Sequence, residues 1–249
     1  MIRHIRKMAA LVVAIIVSFP VVAADFSRLN LVTESGFPPY NFRQDGKLSG
    51  ISIELLLAAS KQAGTPISKS QFKVLPWARA YDMGLKGPGV MLFATTRTEQ
   101  RESLFKWAGP IIATKVVLLA KKSKGIKIAS VAEINRYKVG AIPEDVGQQL
   151  AARAGVKNMK ISGKPEQVAK KLATGRVDLW AFEENSALWM LKSLGYNPAK
   201  FEAVYTFKES AVYYAFSNDV ADSDVAALQQ AIDAVKASGE YDKILSHYR

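Results

Sequence analysis

The feature that most limits the fold is the alternation of short apolar segments with amphipathic ones along the chain. Apolar runs of strand length occupy residues 90–95 and 178–182, whereas residues 51–63, 145–154 and 165–173 carry apolar side chains at helical spacing. These two periods predict buried strands and helices that pack on them. Strands that alternate with helices are typical of α/β proteins whose largely parallel sheets are covered on both faces. The sequence therefore predicts an α/β fold.

Turn and cap signals mark some boundaries within this pattern. Asp45-Gly46 lies between two short segments of strand character and predicts a hairpin. Ser130, followed three residues later by Glu133, predicts a capping box that opens a short helix. The pattern gives no repeat and no low-complexity linker, so it does not locate a domain boundary.

The first 24 residues differ from the rest of the chain. Arg3, Arg6 and Lys7 precede an apolar run at residues 8–22, and small residues follow at Val22-Ala23-Ala24. This layout is typical of a secretory signal peptide. The alternative is an uncleaved membrane anchor, for which the run is short because a spanning helix needs about 20 apolar residues. We expect a cleaved signal and a periplasmic protein.

The amino-acid composition argues against several other classes of protein. The chain has 249 residues, of which 49% are hydrophobic and 22% charged, which is ordinary for a globular protein. It has no cysteine, so neither disulfides nor thiol catalysis are available. The formal net charge is +12, and removal of the three basic residues of the signal leaves +9. The basic residues are scattered apart from Lys121-Lys122-Ser123-Lys124, interpreted as a solvated loop, so no nucleic-acid partner is expected.

Catalytic and metal-binding signatures are sparse. Of the two histidines, His4 lies in the signal and His247 is three residues from the end. No zinc-protease, P-loop or dinucleotide motif is present, and the carboxylates do not cluster with the spacing of a metal site. We therefore expect no metal, no cofactor and no catalytic residues.

Three strand-end segments carry the candidate binding residues, and each has a structural alternative. The loop at residues 33–42 places Phe37 and two prolines where open α/β sheets bind ligands, or forms a rigid turn with core aromatics. Residues 95–101 combine Thr hydroxyls with an Arg whose guanidinium can bind a carboxylate through two hydrogen bonds. The alternative is that they begin a helix in which the Arg pairs with a nearby Glu. At residues 178–185, Glu183 either receives a ligand ammonium or begins the next helix, where an acid suits the dipole.

From about Leu29 to its end, the chain resembles the family-3 periplasmic solute-binding proteins of polar amino-acid ABC transporters. The motifs that carry the resemblance occur in the order typical of that family. They are Phe37-Pro-Pro-Tyr-Asn-Phe42, Asp45-Gly-Lys-Leu-Ser-Gly50, Thr98-Glu-Gln-Arg101 with Phe105-Lys-Trp-Ala-Gly-Pro110, Lys138-Val-Gly-Ala, Thr174-Gly-Arg-Val-Asp178 and Gly239-Glu-Tyr-Asp-Lys-Ile244.

The resemblance implies a two-lobed type II periplasmic binding protein fold, in which each lobe is a mostly parallel sheet flanked by helices and two strands form the hinge. Residues 25–112 and 211–249 are assigned to lobe one and residues 113–210 to lobe two, with the crossings near residues 113–117 and 208–213. It also implies a monomer that closes around an amino acid or small carboxylate and delivers it to an inner-membrane ABC permease.

The resemblance assigns roles to individual residues. Arg101 falls on the Arg that clamps the ligand carboxylate, Thr96 on its hydroxyl partner and Phe37 on the aromatic that packs over the ligand. Glu183 falls where the family usually places an Asp for the ligand ammonium, and its extra length is a departure from the pattern. Glu34 matches an acidic position that often meets a basic ligand end.

Further residues and two other functions come from less general parts of the resemblance. Leu75-Pro-Trp-Ala-Arg79 is similar to a less characterised branch, so Trp77 and Arg79 are expected to shape the side-chain pocket. Arg97 would matter if the ligand has a second acid. Some proteins of this fold are dehydratases of prephenate-like acids, in which Glu183 would be the general acid and Arg79, Arg97 and Arg101 the clamps. Others are sensor modules of membrane receptors.

The first prediction concerns export. Cleavage after Ala24 would place Asp25 at the mature N-terminus, because the small residues at positions 22–24 suit signal peptidase. Intact-mass measurement on the periplasmic fraction should show that terminus. Recovery of the full-length chain in the membrane pellet would contradict the prediction.

Overall fold

The computed structural model of the protein describes residues 25–248. Within that range the strands are β1 (Asn30–Thr33), β2 (Gly36–Phe37), β3 (Asn41–Gln44), β4 (Lys47–Ser49), β5 (Lys73–Val74), β6 (Val90–Thr96), β7 (Lys106–Lys121), β8 (Val139–Ala141), β9 (Met159–Ile161), β10 (Leu179–Glu183) and β11 (Phe201–Phe216). The α-helices are α1 (Ile51–Gln62), α2 (Trp77–Lys86), α3 (Val131–Ile134), α4 (Val146–Arg153), α5 (Pro165–Ala173), α6 (Glu184–Ser193), α7 (Asp222–Ala237) and α8 (Glu240–Ser246).

Eight strands form one sheet in the order β5-β1-β6-β11-β7-β10-β8-β9. The outer pairs on both sides are parallel, and the pairs that involve β7 or β11 are antiparallel. The predicted α/β class with largely parallel sheets is therefore confirmed. Strands β2, β3 and β4 form a separate small sheet. Its hairpin turns at Asp45-Gly46 as predicted, with positive φ at both residues, as a two-residue turn of this kind requires.

Strands β7 and β11 are the elements that join the two parts of the sheet. Each has 16 residues, and they pair from Phe201 opposite Lys121 to Phe216 opposite Lys106. The sequence predicted only residues 115–120 and 211–216 as strands. Gly109-Pro110 interrupts the first pattern, and Glu202, Lys208 and Glu209 weaken the second, but pairing between the two long strands outweighs these local preferences.

The predicted crossings near residues 113–117 and 208–213 lie side by side in this pair. Ala113 faces Ala211, and an ion pair of 2.8 Å joins Lys115 to Glu209. The division into lobes remains a prediction. We call residues 25–112 and 211–248 lobe one, and residues 113–210 lobe two.

Two helix starts at strand ends are fixed by acidic caps. Asp145 begins α4 by accepting from the Gly147 amide at 2.8 Å, and Glu183 begins α6 by accepting from two amides. The predicted capping box at Ser130 is wrong. Ser130 makes no side-chain cap, because the Glu133 carboxylate accepts instead from the Ala129 amide at 2.9 Å, one residue earlier.

A close backbone approach explains why α4 carries a glycine and yields the second prediction. A Cβ at Gly147 would lie 2.3 Å from the Ala181 carbonyl oxygen of β10, whereas a Cβ at Gly163 would meet no atom within 4 Å. Gly147→Ala should lower the free energy of unfolding by about 1–3 kcal/mol through overpacking, despite the better helix propensity of Ala. Gly163→Ala is the control and should change it by less than about 0.5 kcal/mol. Urea denaturation measures both, and equal effects would contradict the packing argument.

Candidate functional site

A cavity of about 320 Å³ lies where four loops converge. These loops follow the carboxyl ends of β1 and β5 in lobe one and of β8 and β9 in lobe two, which is where open α/β sheets bind ligands. The cavity is lined by Glu34, Ser35, Gly36, Arg43, Val74, Leu75, Pro76, Trp77, Ile142, Gly163, Lys164, Pro165 and Glu166. A second cavity of about 370 Å³, between α6 and α8, is more apolar but holds none of the predicted site residues.

Arg101 lies beside this cavity and is only 1% exposed. Its guanidinium donates to the side-chain oxygen of Gln149 at 2.9 Å and to the carbonyl oxygens of Thr96 at 3.2 Å and Glu144 at 3.0 Å. It also lies over the rings of Trp77 and Tyr81. All three acceptors are uncharged, and burial lowers the pKa of the guanidinium. In the described chain no carboxylate lies within ion-pair distance of this buried cation, and the negative charge that acts on it from further away comes mainly from Asp145.

The Glu144 carbonyl links the two lobes at this point. It accepts from Arg101 and, at 2.8 Å, from the indole N–H of Trp77, both of which belong to lobe one. Glu144 has φ of 59°, a left-handed conformation that is uncommon for a residue with a side chain. The strained turn thus directs its carbonyl oxygen at two lobe-one donors.

Three carboxylates approach one another at the cavity. Burial, together with the charges of Asp145 and Glu166, raises the pKa of the partly buried Glu34 to about 8. Burial likewise raises the pKa of Asp145 to about 6, against the opposing effects of the Gly147 amide and of Arg101. The Glu166 Oε2 atom is buried and accepts no hydrogen bond. Arg43 and Lys164 also line the cavity, but in residues 25–248 no basic side chain forms an ion pair with Glu34.

Glu183 is placed differently from Arg101. It is fully buried, and its two oxygens accept from the amides of Asn185 at 3.2 Å and Ser186 at 2.7 Å. Burial raises its pKa to about 7, while these amides and the Tyr40 hydroxyl act in the opposite direction. Glu183 neither lines the cavity nor contacts Arg101, so the helix-start alternative describes its observed contacts.

The remaining predicted residues divide into two groups. Trp77 lines the cavity, and the Thr96 carbonyl accepts a hydrogen bond from Arg101. Phe37 is buried outside the lining, with its ring 5.7 Å from that of Phe182 in lobe two. Arg79 is exposed on α2 and lies outside the cavity lining. Arg97 forms a two-point ion pair with Glu102 and lies over two aromatic rings, away from the cavity.

Residues 29–249 match the sequence model of the bacterial extracellular solute-binding proteins, family 3. The chain belongs to this family. Among solved structures, an ancestral arginine-binding protein bound to arginine is 25% identical, with a TM-score of 0.74 over 88% of this chain and 97% of its own. No curated protein sequence matches significantly.

Two further structures show the same fold at lower identity. The arginine-, lysine-, histidine-binding protein ArtJ from Geobacillus stearothermophilus is 22% identical, with a TM-score of 0.72 over 88% of this chain and 94% of its own. A histidine kinase sensor domain is 18% identical, with a TM-score of 0.75 over 89% and 96%. The predicted family and the type II periplasmic binding protein fold are therefore confirmed.

Several groups at the site of this family-3 protein were not found from the sequence. Gln149, Asp145 and the Glu144 carbonyl surround Arg101, and the buried Thr98 hydroxyl has no partner. The Pro-Glu-Asp sequence at the carboxyl end of β8 was the available signal, because such strand ends carry ligand contacts.

In residues 25–248 no three His, Asp or Glu side chains are arranged to hold a metal. None of the helices in that range is long and apolar enough to cross a membrane.

The raised pKa of Glu34 yields the third prediction. The folded state holds a proton there that the unfolded chain releases near pH 4.5, so this stability is present at low pH and is lost as the pH rises towards 8. The free energy of unfolding of the Glu34→Gln variant should equal that of the wild type at pH 5 and exceed it at pH 8 by about 1–3 kcal/mol.

Urea denaturation of the ligand-free protein at the two pH values measures this difference. The control is Glu202→Gln, an exposed acid on β11, which should follow the wild type at both. If the stability of the Glu34→Gln variant depended on pH in the same way as that of the wild type, this would contradict a raised pKa of the Glu34 carboxyl.

Proposed function

We propose that the protein binds a small α-amino acid with a cationic side chain in the cavity between its lobes. Arg101 receives the ligand carboxylate, and Glu34 receives the cationic end. The observation that carries this proposal is the buried Arg101 guanidinium, whose three protein acceptors are all uncharged.

The energetics of Arg101 favour an anionic ligand. A buried charge without a counter-ion is costly, and a two-point pair with a carboxylate is among the strongest hydrogen-bonded arrangements. An Arg side chain has five N–H donors, of which the protein uses three. A ligand carboxylate would use the remaining donors and would replace the weaker contacts to Gln149 or to the Glu144 carbonyl.

The carboxylates on the opposite wall favour a cationic group. Glu34, Asp145 and Glu166 raise the local negative charge, and a cation among them would remove their mutual repulsion. The 25%-identical ancestral arginine-binding protein supports this class of ligand. The same protein is also described bound to glutamine, so the case for a cation rests on Glu34 and its neighbours.

Export and delivery complete the proposed role. The signal-like N-terminus favours a periplasmic location, and membership of the solute-binding family supports delivery to an ABC permease by a monomer. A sensor role is the alternative for the partner, and the histidine kinase sensor domain shows that this fold serves it elsewhere. The same cavity would serve either role.

The contacts of Glu183 favour binding over dehydration. A general acid must reach the substrate through its own oxygens. Both oxygens of Glu183 accept from the first turn of α6, and the residue does not line the cavity. We therefore propose a binding protein without catalytic residues.

The fourth prediction tests the carboxylate clamp. Arg101→Ala should weaken binding of L-arginine or L-lysine by about 3–5 kcal/mol, because the ligand carboxylate loses its buried partner. Arg101→Lys should also lose affinity, because it keeps the charge but not the fork. The matched control is Arg97→Ala, which removes an Arg outside the cavity and should leave affinity unchanged.

Isothermal titration calorimetry on folded variants measures these affinities. A panel of L-arginine, L-lysine, L-glutamine and L-glutamate should bind in the order cationic, neutral, anionic. Unaltered affinity in Arg101→Ala would place the anion site elsewhere, and tightest binding of L-glutamate would overturn the role of Glu34.

A further inference from the structure

Positive charge is concentrated in lobe two. Residues 113–210 hold 17 of the 34 Lys and Arg residues of the chain but only 9 of the 22 Asp and Glu residues. This leaves a net charge of +8 in lobe two, whereas residues 25–112 and 211–249 together carry only +1. The asymmetry indicates a local role for these charges, because a general requirement for solubility would not favour one lobe.

Six of these cations lie at one end of lobe two. The Lys121 ammonium donates to the Ala173 carbonyl at the end of α5, where the Arg176 amide donates to the Lys171 carbonyl at 2.8 Å. Lys124 and Lys138 meet at Asp178: the Lys124 ammonium lies 3.9 Å from its carboxylate, and the Lys138 amide donates to it. We call Lys121, Lys124, Lys138, Lys170, Lys171 and Arg176 the basic patch.

The basic patch is separate from the ligand cavity. The cavity lies at the carboxyl ends of the parallel strands β8 and β9, whereas Lys138 and Asp178 immediately precede β8 and β10 at the opposite edge. Along β7, seven residues separate Thr114 at the crossing from Lys121, a distance of about 20 Å in an extended strand. None of the six patch residues lines the cavity, although the Lys171 ammonium donates at 2.8 Å to the Ser162 hydroxyl, next to the cavity-lining Gly163.

The patch is also more than a set of helix-stabilising lysines. Lys170 and Lys171 lie in the last turn of α5, where cations suit the helix dipole. That explanation extends to Lys121 and Arg176, which lie at the end of α5, but not to Lys124 and Lys138, which meet at Asp178. A surface depression of about 500 Å³ brings together Lys170, Lys171 and Arg176 with uncharged neighbours and no acid.

We propose that the basic patch adsorbs the protein to an anionic phospholipid surface. Protein interfaces are typically depleted of Lys and have an apolar centre. Five of the six patch residues are Lys, and the exposed large apolar residues of the described chain, Leu85, Leu104 and Ile161, are not among them. Lysine clusters without an apolar anchor are typical of electrostatic lipid contact. Adsorption through this end leaves the cavity, at the opposite edge of the sheet, clear of the lipid.

Vesicle co-sedimentation of the purified protein tests the proposal. The probes are phosphatidylcholine vesicles with and without about a third phosphatidylglycerol, at low and high NaCl. We expect binding only to the anionic vesicles and release at high salt. A basic residue near such a surface contributes about 1 kcal/mol, or about fivefold, so Lys170→Gln/Lys171→Gln/Arg176→Gln should bind at least tenfold more weakly.

Matched variants separate the patch from net charge and from misfolding. Lys47→Gln/Lys61→Gln/Lys243→Gln removes three exposed lysines of lobe one and should bind like the wild type. Lys170→Arg/Lys171→Arg keeps the charge and should retain binding. Thermal unfolding should show a cooperative transition in every variant, lowered only slightly where Lys170 and Lys171 leave the end of α5. Titration of L-arginine should be unchanged in all variants, so failure here is distinguishable from failure of the proposed ligand site.

Three outcomes would overturn the proposal. These are no binding of the wild type to anionic vesicles, equal weakening by the lobe-one triple variant, and full displacement by millimolar inorganic phosphate at constant ionic strength. The last would assign the patch to a soluble anion.

Discussion

The structure depends on one buried cation, Arg101, which forms no close ion pair in the described chain and has Asp145 only as a more distant negative charge. Arg101 is held by a strand-end carbonyl on its own lobe and by Gln149 and the Glu144 carbonyl on the other. Because these acceptors are uncharged, they satisfy hydrogen bonds without neutralising the charge, and a carboxylate would do both. The same contacts join the two lobes, so the group that we propose as the clamp for the ligand carboxylate would also link the approach of the lobes to ligand binding.

Sheet topology places the different charges where they can act separately. The carboxyl ends of β1, β5, β8 and β9 meet at the cavity, and the acids near Glu34 are therefore drawn from both lobes. The opposite edge of the lobe-two strands carries the basic patch. The proposed cation-binding cavity and the proposed anion-binding surface thus lie on different parts of one fold. Charges that lie further apart than the Debye length, about 8 Å at physiological ionic strength, are largely screened from one another.

The sequence predicted most elements but not the contacts that decide the site. Helices such as α5 were predicted with their observed bounds, because their period is set locally. The first half of β11 was missed, because its strand character comes from pairing with β7. Arg101, Trp77 and Glu34 were expected at one site, and the structure places all three at or beside the same cavity. Their partner Glu144 was not found, since a backbone carbonyl directed by a positive φ leaves no residue-type signal. Glu183 was given a ligand role by resemblance, whereas its two amide contacts follow from its place at a helix start.

The most direct test of the central claim is a crystal structure of the protein with L-arginine bound. We expect the ligand carboxylate to lie within hydrogen-bond distance of the Arg101 guanidinium, with the ligand guanidinium beside Glu34. A ligand bound between the lobes whose carboxylate contacts other groups, while Arg101 keeps all three of its protein acceptors, would contradict it.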